Sequence, residues 1–84
     1  MKFCYITFRS VTFAQSAQRA LWKAGMESTL KRTPKNLEQR GCGYCLQLRQ
    51  WEATTAVQLL RSQNREFGKA YVIGTDGSIE EMAI

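Results

Sequence analysis

The segment of this chain with the greatest capacity for chemistry is Arg40-Gly41-Cys42-Gly43-Tyr44-Cys45, which holds two of the three cysteines. The chain contains no histidine, so an imidazole cannot activate either thiol. A reactive cysteine here must have its pKa lowered by cations, backbone amides or a helix terminus. Glycines on both sides of Cys42 leave room for a partner's backbone or a second sulfur to approach the thiol.

Basic residues surround the cysteine segment. They are Lys31, Arg32, Lys35, Arg40 and Arg49. Glu38 is the one acid within this stretch, and the whole chain has 12 basic and 7 acidic residues, a net charge of +5. Such a surface can bind an anionic ligand, an acidic protein or nucleic acid, although a solvated cationic face has the same composition.

Length and composition predict a single globular domain over residues 1–84, because 44% of the residues are hydrophobic. An odd number of cysteines excludes complete internal disulfide pairing. The first residues are charged too early for a secretory signal, and no apolar run approaches the ~20 residues of a membrane span. We therefore expect a cytoplasmic protein with reduced thiols and no membrane association.

The elements that must position the cysteine segment follow from the spacing of apolar residues. The alternation of Cys4, Ile6 and Phe8 predicts a first strand over 2–9 with these three residues on one face. Thr12 and Gln15 form a capping-box pattern that predicts the start of a helix, and Gly25 predicts its end. The apolar stripe of this helix is predicted at Phe13, Ala17, Ala20, Leu21 and Ala24. Further strands are predicted at 26–32, 44–49 and 70–73, a second helix at 52–63 and a short edge strand at 78–82.

This order of elements predicts an α+β fold, the ferredoxin-like split βαβ sandwich. Its four-stranded antiparallel sheet carries both helices on one face, here with an extra C-terminal edge strand. Right-handed crossovers bring the end of the first strand and the start of the first helix to the sheet end where the Cys42 loop lies. We therefore expect Arg9 and Ser10 near Cys42, where a guanidinium and a helix N-terminus would lower the thiol pKa.

The pair Cys42 and Cys45 allows four interpretations. In a thioredoxin-like enzyme the pair would open a helix that follows a strand, but Cys45 falls within the predicted strand 44–49. A dithiol redox switch would use Cys45 as the resolving thiol, but residues three apart on a strand point to opposite faces. A zinc site needs four ligands, which three cysteines without histidine do not supply within one chain, so no metal and no cofactor are predicted. The fourth interpretation treats Cys45 as a small buried residue, and it applies to Cys4 as well.

An RNA-binding module is the alternative from another class of protein. Arg40-Gly41-Cys42-Gly43-Tyr44 resembles the third-strand signature of the RNA-recognition motif, basic-Gly-aromatic-Gly-aromatic, and Tyr5 would be its other stacking ring. Cys42 and Gln47 stand where that motif places further aromatics, and each lost platform removes ~1–3 kcal/mol of stacking per base.

A longer resemblance rests on an ordered set of short segments. They are Thr7-Phe8-Arg9-Ser10, Ala20-Leu21-Trp22-Lys23-Ala24-Gly25, Thr33-Pro34-Lys35-Asn36-Leu37 and Gly41-Cys42-Gly43. Over residues 3 to about 48 the chain resembles small prokaryotic proteins described as selenium or sulfur carrier-like. Lys35 stands where that family usually has arginine, Glu38 where serine is common, and Cys45 where a small residue is typical.

The resemblance implies a carrier thiol at Cys42 that accepts a sulfane sulfur, or selenium, and relays it as a persulfide. Side chains expected to stabilise the thiolate are Arg9, Ser10, Lys35 and Arg40, with Gly41 and Gly43 giving access. The implied partners are a donor protein and an acceptor protein, both with acidic surfaces. Such a carrier acts as a cosubstrate rather than as an independent enzyme.

Overall fold

A computed structural model describes residues 2–35, 37 and 43–82. Three residues of the predicted site, Arg40, Gly41 and Cys42, lie outside this part of the chain. The described elements, in chain order, are β1 (Phe3–Phe8), α1 (Val11–Lys23), β2 (Thr29–Arg32), β3 (Tyr44–Arg49), a 3₁₀ turn (Gln50–Glu52), α2 (Ala53–Ser62), β4 (Ala70–Ile73) and β5 (Ile79–Glu81).

The strands form one sheet in the order β2-β3-β1-β4-β5, and all four neighbouring pairs are antiparallel. The first four strands have the order of the ferredoxin-like sandwich, and β5 extends the sheet beyond β4. The predicted α+β fold class is therefore confirmed, with β5 as the expected edge strand. Neither described helix is long and apolar enough to cross a membrane.

One face of the sheet carries the core beneath the two helices. Cys4, Ile6 and Phe8 of β1 are fully buried there, as their alternation predicts. Leu46 and Leu48 of β3 lie on the same face, because their Cα partners on β1 are Ile6 and Cys4. The helices contribute Ala14, Ala17, Leu21, Ala53, Ala56, Val57 and Leu60.

The first helix begins at a different residue from the one predicted. Ser10 is the N-cap, and its hydroxyl accepts a hydrogen bond from the Phe13 amide at 3.2 Å. The capping-box prediction at Thr12 is therefore wrong, because Thr12 already lies inside the first turn. The buried stripe includes Ala14 instead of Phe13, whose side chain is 44% exposed. Ala24, also predicted to be buried, is exposed.

The end of α1 matches its prediction and explains why β2 is shorter than expected. Gly25 has φ +86°, and the amides of Gly25 and Met26 donate to the carbonyls of Trp22 and Leu21 at 2.9 Å each. This is the Schellman arrangement, in which glycine supplies the left-handed residue. The turn carries Met26 into the core, so regular pairing of β2 begins only at Thr29.

Candidate functional site

The backbone around the cysteine loop converges on one end of the sheet. Arg32 and Tyr44 are Cα partners, and the Thr33 amide donates to the Gly43 carbonyl at 3.0 Å. Tyr44 is also the Cα partner of Phe8, the last residue of β1. Gly43, the end of β1 and the first turn of α1 therefore meet at one end of the sheet, which we call the Ser10 end.

Arg9 and Ser10 lie between β1 and α1 at this end. The Ser10 hydroxyl accepts from the Phe13 amide as the helix cap, and it donates its own proton to no residue in the described part of the chain. Arg9 is exposed, and its Nη1 lies 3.7 Å from Glu66 Oε1. Exposed ion pairs are worth ~0–1 kcal/mol, so this contact leaves the Arg9 guanidinium able to exchange partners. The first turn of α1 contains no acidic residue that would oppose an anion there.

Lys35 and Gly43 border the segment that contains Cys42. Lys35 is exposed in a turn closed by a hydrogen bond of 2.9 Å from the Leu37 amide to the Pro34 carbonyl. A Cβ atom added to Gly43 would meet no atom of the described residues within 4 Å, so residues 2–35, 37 and 43–82 leave the space beside this glycine open. These observations fit an accessible loop base, while the positions of Arg40, Gly41 and Cys42 themselves are not described.

Cys4 is enclosed in the core. It is fully buried between the helices and the sheet, with Leu48 and Val72 as its Cα partners on the neighbouring strands. Burial raises the pKa of its thiol from 9.0 to about 12. Since the thiolate is the nucleophile, Cys4 has neither the exposure nor the ionisation of a carrier thiol at neutral pH.

Cys45 is also fully buried, but on the sheet face that carries no helix. Its Cα partners are Thr7 and Lys31, and its Sγ lies 3.9 Å from the Arg32 carbonyl oxygen. Burial raises the pKa of the thiol, whereas the nearby Thr33 hydroxyl and the Lys31 charge lower it by smaller amounts. Cys45 therefore packs in the folded state and does not present a thiolate.

The two tyrosines of the RNA-binding alternative point to opposite faces of the sheet. Tyr44 lies on the helix face, where it packs against the core, because its Cα partner is Phe8. Tyr5 lies on the other face, with Gln47 and Tyr71 as its Cα partners. The two rings therefore do not form the single stacking surface that the RNA-recognition motif requires.

A contact that the sequence does not predict lies at the base of the cysteine loop. The Arg32 guanidinium stacks over the Tyr44 ring at 5.4 Å from its centroid, and Arg32 Nη1 donates to the Tyr44 hydroxyl at 3.3 Å. A similar pair lies at the other end of β3, where the Arg49 guanidinium is 5.5 Å from the centroid of the Trp51 ring. To predict the contact between Arg32 and Tyr44, one must know that the last residue of β2 pairs with the first residue of β3. That pairing follows only once both strand ends are known.

Metal-binding side chains do not gather at this site in the described part of the chain. Among residues 2–35, 37 and 43–82, no three cysteine, aspartate or glutamate side chains are close enough to hold a metal ion. The chemistry available to the described residues is therefore that of cations, hydroxyls and a helix N-terminus.

Comparison with known proteins identifies the class to which this fold and loop belong. The model of the family described as "Putative Se/S carrier protein-like" matches residues 3–72, which run from the start of β1 into β4. The chain belongs to this family. The match extends beyond the segment of resemblance in the sequence, since it includes α2, and it ends before β5. No curated protein and no solved structure matches the chain significantly.

Proposed function

We propose that the protein carries sulfane sulfur, or selenium, as a persulfide on Cys42. The observation that supports this most strongly is the state of the other two cysteines. Cys4 and Cys45 are both fully buried, and burial raises the pKa of each thiol. A carrier thiol has to reach both its donor and its acceptor as a thiolate, so Cys42 is the one cysteine left for the task.

The transfer is an exchange at sulfur that needs no external oxidant. The Cys42 thiolate attacks the outer sulfur of a donor persulfide, a new S–S bond forms, and the donor leaves as a thiolate with the electrons of the broken bond. Arg9, Lys35 and Arg40 would stabilise the attacking anion, and Ser10 would donate a hydrogen bond to it. Gly41 and Gly43 would leave room for the extra atom.

The partners of such a carrier are proteins that donate and accept the chalcogen. The net charge of +5 favours partners with acidic surfaces. In this scheme the protein is a cosubstrate that turns over with both partners and does not catalyse a reaction alone. A cytoplasmic location, where thiols stay reduced, is part of the proposal.

Neither alternative function gains support from the described residues. A Cys42–Cys45 disulfide would need the two Cβ atoms within ~3.5–4.5 Å, yet Cys45 is enclosed on its strand and its pKa is raised. An RNA-recognition surface would need Tyr5 and Tyr44 on one face, and they lie on opposite faces.

Intact-mass spectrometry tests the proposal directly. The reduced protein is incubated with an uncharged alkyl persulfide, freed of excess donor, weighed and mapped by peptides. We expect the mass to rise by one sulfur atom on the Cys42 peptide and to return to its starting value after treatment with a thiol acceptor.

Two variants make the mass experiment decisive. Cys42→Ser should load no sulfur while keeping the far-ultraviolet circular dichroism of the wild type. Cys45→Ala should load fully, with a stability cost of at most ~1–2 kcal/mol for the lost sulfur atom. Loading of the Cys42→Ser variant, or mapping of the added sulfur to Cys4 or Cys45, would refute the proposal. An oxidised wild type with a Cys42–Cys45 bridge would favour the dithiol alternative.

A further inference from the structure

Arg32 is a cation held in place at the base of the cysteine loop. Its guanidinium is fixed by two contacts to Tyr44, the stacking at 5.4 Å and the hydrogen bond to the hydroxyl at 3.3 Å. Tyr44 is itself fixed, because it packs against the core and pairs with both Phe8 and Arg32. The Arg32 side chain remains exposed, so the guanidinium is oriented without being enclosed.

The covalent chain limits how far the backbone of the proposed carrier residue can lie from Tyr44. Cys42 precedes Tyr44 by two residues, and two peptide units separate Cα atoms by at most ~7 Å. Arg32 is the Cα partner of Tyr44, so both lie on the last regular rung before the loop. Other described cations near the loop base are held differently: Arg9 is paired with Glu66, Lys35 is exposed in the turn, and Lys31 is the Cα partner of Cys45.

A planar guanidinium has a specific preference among anions. It presents parallel N–H donors that match the oxygens of carboxylates and of tetrahedral oxyanions. A pre-oriented arginine also loses less side-chain entropy when it binds such a group. Stacking on Tyr44 uses the face of the guanidinium, and beyond the one Nη1 hydrogen bond its other N–H groups bond to no residue in the described part of the chain. These edge N–H groups are the ones that a ligand would use.

We propose that Arg32, held on Tyr44, forms an oxyanion subsite for small donors whose sulfane sulfur is bonded to an anionic leaving group, as in thiosulfate. This inference rests on the proposed function, because it assigns a donor class to Cys42. The Cys42 thiolate attacks the outer sulfur of thiosulfate and forms a persulfide anion. The S–S bond of thiosulfate breaks, and sulfite departs with its electron pair. Charge is conserved, and Arg32 binds the oxygens of the departing sulfite.

Loading rates measured against thiosulfate concentration test the subsite. Arg32→Gln should raise the concentration that gives half-maximal rate by about tenfold, because a hydrogen-bonded charge pair is lost. Arg32→Lys keeps the positive charge but loses the parallel N–H donors of the guanidinium. The thiosulfate concentration that gives its half-maximal rate should lie between those of the wild type and Arg32→Gln. Tyr44→Phe keeps the ring but removes the hydroxyl that accepts from Arg32, and should cause a smaller rise.

Arg49→Gln is the matched control, since it removes one positive charge from an arginine that also stacks on an aromatic ring, at the opposite end of β3. It should change the thiosulfate dependence by less than about twofold. Selenosulfate, which releases the same sulfite and delivers selenium, should show the same dependence on Arg32.

Loading from the uncharged alkyl persulfide distinguishes a failure of the proposed carrier function from a failure of the proposed oxyanion subsite. Arg49→Gln should load from it at the wild-type rate, and far-ultraviolet circular dichroism shows whether all four variants are folded. Arg32→Gln, Arg32→Lys and Tyr44→Phe should lose less with this donor than with thiosulfate, because it offers no sulfite oxygens to the guanidinium. Failure of the wild type to load from the alkyl persulfide would refute the carrier function itself. Normal loading from the alkyl persulfide, combined with no loading from thiosulfate or with equal effects of Arg32→Gln and Arg49→Gln, would overturn the oxyanion subsite alone. Dependence on Arg32 with only one of the two sulfite-releasing donors would also overturn it.

Discussion

The two ends of β3 carry the same kind of contact in different surroundings. At the Ser10 end, Arg32 stacks on Tyr44, which is half-buried against the core. At the other end, Arg49 stacks on Trp51, which is 65% exposed and lies in the 3₁₀ turn before α2. The two stacking distances, 5.4 and 5.5 Å, are nearly equal. What differs is the platform, since Tyr44 is fixed by the sheet and the core and Trp51 is not.

The comparison shows that a contact distance does not by itself define a binding residue. Arg32 gains its orientation from an aromatic ring whose own position is determined by Phe8 on one side and by β2 on the other. Arg49 lies over the ring of Trp51, which is mostly exposed and so is not held in place by the core. A buried thiol also lies close to each end, Cys45 beside Tyr44 and Cys4 opposite Leu48.

The largest expected difference between the ends concerns stability. Phe8→Ala removes a fully buried ring opposite Tyr44 and should lower the free energy of unfolding by about 3–5 kcal/mol. Trp51→Ala at the other end should change it by less than about 0.5–1 kcal/mol, because the indole is mostly exposed. Urea denaturation measures both, and Phe8→Leu gives a milder variant if Phe8→Ala does not fold. Similar losses at the two ends would contradict the contrast between a fixed and a loose platform.

Alkaline pH should destabilise the protein through its buried thiols. The pKa of Cys4 rises from 9.0 to about 12 on folding, so the native state favours the protonated thiol. This contribution is fully present below pH 9 and is lost as the pH rises toward 12, with a slope of up to about 1.4 kcal/mol per pH unit. Unfolding measured under reducing conditions should therefore show a shallower alkaline decline for Cys4→Ala than for the wild type. Equal slopes would mean that Cys4 ionises freely in the folded protein.

Loss of the N-cap of α1, at the Ser10 end, should have an intermediate effect on the free energy of unfolding. Ser10→Ala should cost about 1 kcal/mol of unfolding free energy, because the Phe13 amide loses its acceptor. Ser10→Asn restores an acceptor and should recover most of this loss. Thr12→Ala lies within the helix and should be nearly neutral, which distinguishes the observed cap from the capping box expected in the sequence. A larger loss for Thr12→Ala than for Ser10→Ala would reverse that correction.

The smallest expected effect belongs to the exposed pair of Arg9 and Glu66. Glu66→Gln should change the free energy of unfolding by less than about 0.5 kcal/mol, and less still at high salt. If Arg9 contributes to the thiolate site, releasing it from Glu66 should leave sulfur loading unchanged or slightly faster. A marked slowing of loading would show that the ion pair positions Arg9 for its role.

Local patterns in the sequence were enough to predict the order of elements and the sheet. Alternation identified the buried face of β1, and Gly25 identified the end of α1, because both depend on near neighbours. The start of α1 was predicted wrongly, since two hydroxyl residues compete as caps and tertiary packing places Ala14, not Phe13, against the core.

The candidate site was less accessible to prediction than the fold. The interpretation of Cys45 as a small buried residue is confirmed, but its complete enclosure depends on residues far along the chain such as Thr7, which the spacing of Cys42 and Cys45 does not reveal. The contact between Arg32 and Tyr44 depends on the exact register of two strands across a long loop, and a shift of one residue would move one partner to the other face.

The most direct test of the carrier assignment is the rate at which each cysteine is alkylated in the folded, reduced wild type between pH 6 and 9. We expect Cys42 to be labelled first, with a pH dependence that gives a pKa below the free value of ~8.5. Cys45 should follow slowly, and Cys4 should be labelled last, because both are fully buried with raised pKa values. Faster labelling of Cys45 or Cys4, or a pKa of Cys42 at or above the free value, would contradict the assignment of Cys42 as the carrier thiol.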